Sequence, residues 1–419
     1  MKIFAKERPD IPIVNHVKPD GTQWTIKEKL LLGLSPEDYK KQLMRNPVNW
    51  LLAFIFLIGI PLLLQRYTMG LASVTHASND YPWGLFLGFG LFGMVPLSAS
   101  GFMLGTTVEL FGRKDFHAIE RLALLNGLLG YFFAVVYLLV DLGMPWRLPY
   151  PMFVSLGPAA VLFLVAWHVA TYLSVQIAEV LPAICEWLGG PWLKVKRWIN
   201  SIVMGLTIAG IILSTLHQGA LGALFTYAPS KVHPLWYSAN FQWIHFFCSS
   251  IFAGLSMVMV SATLCRKFLK WRAGKEFLEN LDNICIGLAK GCSLALITYI
   301  IIKFIAVAHD DEWEYLLTPW GQYWWLEMFI SAFIPLVLYS LAVKHNNAGL
   351  ARLTAFITVA GIIMNRIDTA LVAFNWNLYQ EIPHWKEVWI TFTVYALYFI
   401  TYRFIVYRMP IIYEWKGEK

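Results

Sequence analysis

Four residues in this chain could together hold a polar ring and move protons to it. Asp141 ends the stretch YFFAVVYLLVDLGMPWR (131–147), after ten greasy residues in a row. His168 lies inside another apolar run, and His217 and Gln218 close a third. A carboxylate gives or takes a proton, an imidazole does both near neutral pH, and an amide fixes orientation by hydrogen bonding. Such groups near one depth suit a polar head group that arrives through an apolar setting. Glu179 follows His168 by eleven residues on the same run. A second group, Lys303, Glu327, Arg366 and Asp368, lies in the later runs. It reads either as buried ion pairs that hold helices together or as part of a proton route. Glu109 and Arg113 read as an i,i+4 pair near an interface.

The elements that must position these groups follow from hydropathy. The 419-residue chain is 58% hydrophobic and 14% charged, against roughly 25% charged residues in a soluble domain. Its mean hydropathy is +0.56. Crossing ~30 Å of hydrocarbon takes ~20 apolar residues. Ten runs meet that length, near 48–66, 83–111, 121–143, 158–182, 198–222, 242–265, 282–307, 321–343, 351–374 and 387–408. The expected fold is therefore all-α, a polytopic membrane protein embedded in a lipid bilayer.

Charge orients the runs. With the N-terminus inside, 26 of the 33 Lys and Arg fall in connections on the inner side and four on the outer side. That bias puts both termini in the cytoplasm, and it accounts for the net charge of +7 without nucleic-acid binding. Arg121 to Asp141 is twenty residues, about 30 Å of helix. Arg121 then marks the inner boundary, close to Glu120, and Asp141 the outer one. Asp141 could simply end its helix. However, a carboxylate there opposes the negative end of the helix dipole, so the chemical reading is preferred. His168 lies nearer mid-membrane.

The remaining segments carry less chemistry. Residues 1–45 form a cytoplasmic extension, with a Ser35-Pro36-Glu37-Asp38 start that predicts a surface helix over 36–44. It is either a docking arm or a solvated tail. No short apolar segment precedes a cleavage site, so no signal peptide is expected. The five cysteines form neither CxxC nor C-x-x-C-H, which disfavours a Cys-held cluster or c-type haem. The outer connections, such as HASNDYPW (76–83) with Trp83 and GMPWRLPYP (143–151) with Trp146, are rich in aromatics. They suit both headgroup anchoring and the docking of a partner.

NDYPWGLFLGF, RKDFHAIERLALLNGLLGY, VDLGMPWRLPY, and STLHQGALGALF with KVHPLWYS occur in that order. With them the chain resembles the NrfD/PsrC family of membrane subunits over about residues 60–400, closest to the ten-helix HybB-like branch (HybB and QrcD type). The resemblance implies two four-helix bundles, about 83–222 and 242–374, within a domain of 46–410, plus flanking helices and a cytoplasmic tail at 411–419. It implies a bacterial cytoplasmic-membrane location. It implies a menaquinone site in the outer half of the first bundle, with no haem, iron–sulfur cluster or metal on this chain. It implies a ferredoxin-like iron–sulfur subunit at the outer face, with catalytic or cytochrome c subunits in the same complex. Some members are proposed to couple electron transfer to proton movement.

By position, Asp141 falls on the family's Asp of a D-[LV]-G turn and His217 on the His of its T-x-H-Q motif. Glu179, Lys303, Glu327 and Arg366 also fall on family positions. The candidate quinone site is Asp141, His168, His217, Gln218, Trp83 and Trp146. The implied proton route is Glu179, Glu120 and Arg121, with Lys303, Glu327 and Arg366. The chain departs from hydrogenase-type relatives at Leu164, where they carry Glu. His168, one turn further along that face, is the candidate substitute. Two other readings stay open: a b-type cytochrome, which needs axial His at one depth on facing helices, and a secondary transporter, which often shows half-repeats and broken helices.

Overall fold

The computed structural model describes residues 22–378 and 382–412. The earlier part of the N-terminal extension, three residues of the loop before the last helix, and the tail from 413 lie outside the described residues. Among the described residues, ten helices are long and apolar enough to cross a membrane: α1 Pro47–Met69, α2 Phe86–Leu110, α3 Lys114–Asp141, α4 Val161–Leu188, α5 Val203–Tyr227, α6 Gln242–Phe268, α7 Lys275–His309, α8 Pro319–Lys344, α9 Ala348–Val372 and α10 Trp385–Arg408. The chain is thus an all-α multi-pass membrane protein.

Helices α2 to α5 pack around one another, and α6 to α9 do the same. The α6 helix joins the two groups through α5 and α2, while α1 pairs with α10 on the flank. Close approach at the junction depends on glycine. A Cβ on Gly254 of α6 would lie 2.5 Å from the Ser100 nitrogen and 2.7 Å from the Ala99 carbonyl carbon of α2. At that point α2 is itself interrupted by a turn at Ser98–Ala99. It is wound as π-helix on either side, over Phe86–Gly93 and Thr106–Leu110. Its neighbours bury it, which a hydrocarbon-facing break could not survive.

Two short segments were not legible as elements in the sequence. Residues Trp192–Ser201 form an amphipathic helix before α5, with Trp192 and Trp198 exposed. The start of the described chain forms Ile26–Leu30, followed by the expected surface helix Pro36–Arg45 with Ser35 capping the Asp38 nitrogen. This extension docks on its own chain. Lys29 donates to the Trp187 carbonyl at the end of α4 at 2.7 Å, and Arg408 of α10 donates to the Leu30 carbonyl at 2.9 Å. Both contacts close C-terminal carbonyls with cations, as the helix dipole favours.

At the opposite end of the molecule, the loop between α5 and α6 bridges to the end of α9. His233 donates its backbone N–H to the Ala373 carbonyl at 2.8 Å. Its ring is fully buried among Trp236, Tyr315, Trp320 and Trp376, with centroids 4.7–5.4 Å away. Burial pushes the imidazole down from 6.5 to about 4.

Two predictions follow from this packing. Gly254→Leu should prevent recovery of folded, monodisperse protein, because the added atoms meet backbone that cannot move aside. Size-exclusion chromatography of the variant in mild detergent checks this. His233 is held neutral, so the unfolded chain binds its proton more readily than the folded chain does. Its contribution should be complete above about pH 6.5 and fall as pH drops toward 4. His233→Phe should therefore narrow the difference in thermal midpoint between pH 7.5 and pH 5.

Candidate functional site

A polar stripe runs down one face of α4: His168, Tyr172, Gln176 and Glu179. Their spacing of four, four and three residues keeps them on one side of a helix. That face turns toward α3 and α5. Tyr131 of α3 meets the Tyr172 ring edge-on at 4.8 Å, and the His217 ring of α5 at 5.4 Å. Gln218 donates to the Val95 carbonyl at 3.0 Å and reaches the Tyr131 hydroxyl at 3.4 Å. Ser214 faces both tyrosines, and His168 is close enough to His217 to interact electrostatically. His217, Gln218, Ser214, Tyr131 and Tyr172 are all completely buried.

Most of the polar atoms in this pocket have no well-formed hydrogen bond. They are His168 Nδ1, Tyr172 Oη, both polar atoms of Gln176, Ser214 Oγ, both ring nitrogens of His217 and Gln218 Oε1. An unpaired buried polar atom costs on the order of 1–3 kcal/mol, and native interiors contain few. So many on three neighbouring helices mark a place built to be completed by a ligand or water.

Asp141 does not join this pocket. It lies ten residues beyond Tyr131 on α3, or about 15 Å along the axis. Its charged neighbours are Arg66 and Glu387. Arg66, on α1, is 2% exposed. Its Nε donates to the Val140 carbonyl at 2.5 Å and its Nη2 to the Leu142 carbonyl. The guanidinium thus binds the α3 carboxyl end directly and offsets the clash between the Asp141 carboxylate and the helix dipole. Glu387, on α10, accepts the Leu85 N–H at 2.5 Å. In the sequence Arg66 stands at the end of an apolar run as one of the four cations on the outer side, and nothing nearby in the chain marks its partners.

The implied aromatic members also part company. Trp83 packs against Phe92, Phe225 and Phe374, at centroid distances of 4.9–5.7 Å. Trp146 is 69% exposed on the surface turn after α3 and lines no pocket with His217.

At the Arg121 end, Glu179 interacts with Glu120, and Glu120 faces Glu109. These carboxylates lie below the polar stripe of α4. Arg121 is engaged elsewhere. It donates to Glu186 and to the Pro410 carbonyl, both at 2.9 Å, and Lys196 meets the same Glu186 oxygen at 3.0 Å. It therefore ties α3, α4 and the end of the chain together. The expected Glu109–Arg113 pair does not form: Arg113 instead makes a two-pronged bridge to Asp115, at 2.8 and 3.0 Å.

The later group is close-knit. Glu327 accepts from Trp236 Nε1 and from Asn365 Nδ2, each at 2.5 Å. Arg366 donates to Asn365 Oδ1 at 2.8 Å and to Ser249 Oγ at 2.5 Å, with its guanidinium 3.8 Å over the Phe246 ring. Tyr323 donates to Asp368 at 2.7 Å. Lys303 is buried beside Glu327, and His245 lies between Lys303 and Arg366 with neither ring nitrogen bonded. Turns of π-helix follow Glu327 and Arg366, at Phe329–Phe333 and Asp368–Val372. Such turns accompany functional sites. Phe246 reaches Phe92 and Phe225 at 6.2 and 5.6 Å, so aromatic rings extend from Arg366 to α2 and α5.

The chain is similar in sequence to several known proteins. A protein of Nitratidesulfovibrio vulgaris is 42% identical over 377 residues, covering 89% of this chain and 96% of that one. The probable Ni/Fe-hydrogenase 2 b-type cytochrome subunit of Escherichia coli is 27% identical over 85% of this chain and 90% of its own. The integral membrane subunit of menaquinone reductase from N. vulgaris is 23% identical over 92% and 96%. Residues 73–375, which span both polar groups, match the family described as "Polysulphide reductase, NrfD", and the chain belongs to that family of membrane subunits.

Proposed function

We propose that this chain is the quinone-reactive membrane subunit of a respiratory oxidoreductase, exchanging electrons between menaquinone and an iron–sulfur partner. The carrying observation is the set of unpaired polar atoms around Tyr131, Tyr172 and His217. They suit a ring with carbonyl oxygens on opposite edges, because imidazole N–H and tyrosine O–H both donate to carbonyls. A bound quinone supplies two-electron, two-proton chemistry. The menaquinone reductase subunit among the relatives is consistent with this ligand.

The chain's own residues then divide the work. His217 holds a transferable proton, and its packing against Tyr131 fixes the ring plane. Gln218, anchored on the Val95 carbonyl, orients its free Oε1 into the pocket. Glu109, Glu120 and Glu179, then Gln176, Tyr172 and Ser214, form a line of exchangeable groups toward His217. Asp141, set between Arg66 and Glu387, is a separate proton station at the far boundary. Lys/Arg asymmetry supports a position for that boundary outside the cytoplasm. There the exposed Met144, Trp146, Tyr150 and Phe153 offer an apolar platform for a ferredoxin-like subunit, with its catalytic or cytochrome partners beyond.

A second reading has one observation behind it. His168 and His217 approach each other on facing helices, and the E. coli relative is named as a b-type cytochrome subunit. Reduced-minus-oxidised spectra of the purified chain decide this: a haem band lost in His168→Leu would support it.

The primary reading predicts that Asp141→Asn and His217→Gln each lower quinone-linked electron transfer in membranes about 10²-fold or more, the usual worth of a proton-transfer group. Co-purification of the partner subunits should be unchanged. Wild-type rates in both variants would contradict the assignment.

A further inference from the structure

A cleft of about 1590 Å³ runs between α10 and the two bundles. It is distinct from the His217 pocket, none of whose residues line it. Its wall follows α10 from Val388 to Tyr407, nineteen residues or about 28 Å, close to the full hydrocarbon thickness. Apolar side chains such as Phe89, Leu97, Met257, Phe356 and Phe392 line its length. The cleft is polarised. At one end Arg45, Lys267 and Arg403 line its mouth; at the other, Leu85, Phe89 and Val388 bring no charge.

The three cations differ from the carboxylate-paired cations at the same end of the molecule, and unlike Lys194, Arg197 and Lys270, which have no carboxylate partner among the described residues, they line the cleft. Arg121 and Lys196 share Glu186, and Arg266 pairs with Asp282. No carboxylate among the described residues pairs with Arg45, Lys267 or Arg403. Arg403 donates to the neutral Asn49 side chain at 2.5 Å and lies over the Phe399 ring at 6.0 Å, and Lys267 lies over the Phe268 ring at 5.4 Å. Just below the mouth the wall carries further unmet polarity. Asn126 Nδ2 is buried with no partner, although its Oδ1 accepts from Ser261 at 3.1 Å. Tyr402 Oη faces Ser261 without a well-formed hydrogen bond.

We infer that this cleft holds a structural anionic phospholipid. The phosphate lies among Arg45, Lys267 and Arg403, the ester carbonyls accept from Asn126 and Tyr402, and the acyl chains fill the apolar length. Unneutralised cations at one end of a deep apolar slot match an amphiphile with one negative head. Polar donors around Ser261, six residues inward of Lys267 on α6, match the ester level of such a lipid.

The test is native mass spectrometry of the full chain, released from mild detergent after exchange with equal phosphatidylglycerol and phosphatidylcholine. One retained phospholipid is expected, with phosphatidylglycerol favoured. Lys267→Gln/Arg403→Gln should lower that preference at least about tenfold, since each basic contact to an anionic lipid is worth about a factor of five. Lys194→Gln/Arg197→Gln, on the amphipathic helix, should leave it unchanged. Met257→Trp, which fills the slot but keeps the cations, should lose bound lipid of both kinds. Thermal midpoints in phosphatidylcholine alone verify that the variants fold. Equal retention of the two lipids, an undiminished preference in the double variant, displacement by millimolar glycerol phosphate, or a quinone in place of phospholipid would each overturn the inference.

Discussion

Hydrocarbon offers no hydrogen bonds, and this constraint decides where the chain can place polarity. Every charged or polar group inside the ten helices must find its partner within the protein or in something bound to it. The two bundles meet the demand differently. In α6 to α9, Glu327, Asn365, Arg366, Ser249, Tyr323 and Asp368 largely satisfy one another. In α3 to α5, His217, Tyr172, Gln176 and Ser214 are brought together and left short. The α6 to α9 network also leaves both His245 ring nitrogens, Arg366 Nε and Asp368 Oδ2 without a well-formed hydrogen bond, so the two bundles differ in degree, and the proposed pocket is the one with fewer bonds made.

The same constraint explains the helix geometry around the site. A break leaves backbone groups that a lipid-facing helix could not satisfy, so the one in α2 occurs where neighbours bury it. The α2 helix is broken at Ser98–Ala99, against Gly254 of α6. The Val95 carbonyl in the preceding turn accepts from Gln218. The irregularity thus helps position a pocket residue. Arg66 plays a related part at the end of α3, where its guanidinium holds the carbonyls on either side of Asp141.

Much of the fold was legible in the sequence, because run length and hydropathy report directly on membrane crossing. All ten helices lie where the apolar runs predict, within a few residues at most ends. The Trp192–Ser201 helix was missed because it is too short and too polar for that signal. The site was legible only in part. His168, His217 and Gln218 do come together, yet Asp141 stands apart with Arg66 and Glu387, since depth along a helix does not fix which neighbour a side chain faces. The stripe of 168, 172, 176 and 179 was visible in the spacing. Tyrosine and glutamine carry no charge, so in a membrane helix they stand out less than ionisable residues do. Arg121 looked like part of a proton route, but a partner far along the chain, Glu186, occupies it.

The most direct test is photoaffinity labelling of the assembled complex with an azido-menaquinone, followed by peptide mapping. The account predicts saturable labelling of α3, α4 and α5 around Tyr131, Tyr172 and His217, competed away by unlabelled menaquinone. Saturable labelling confined to α7 to α9, around Lys303 and Arg366, would contradict it, because the network read here as structural would then be the quinone site.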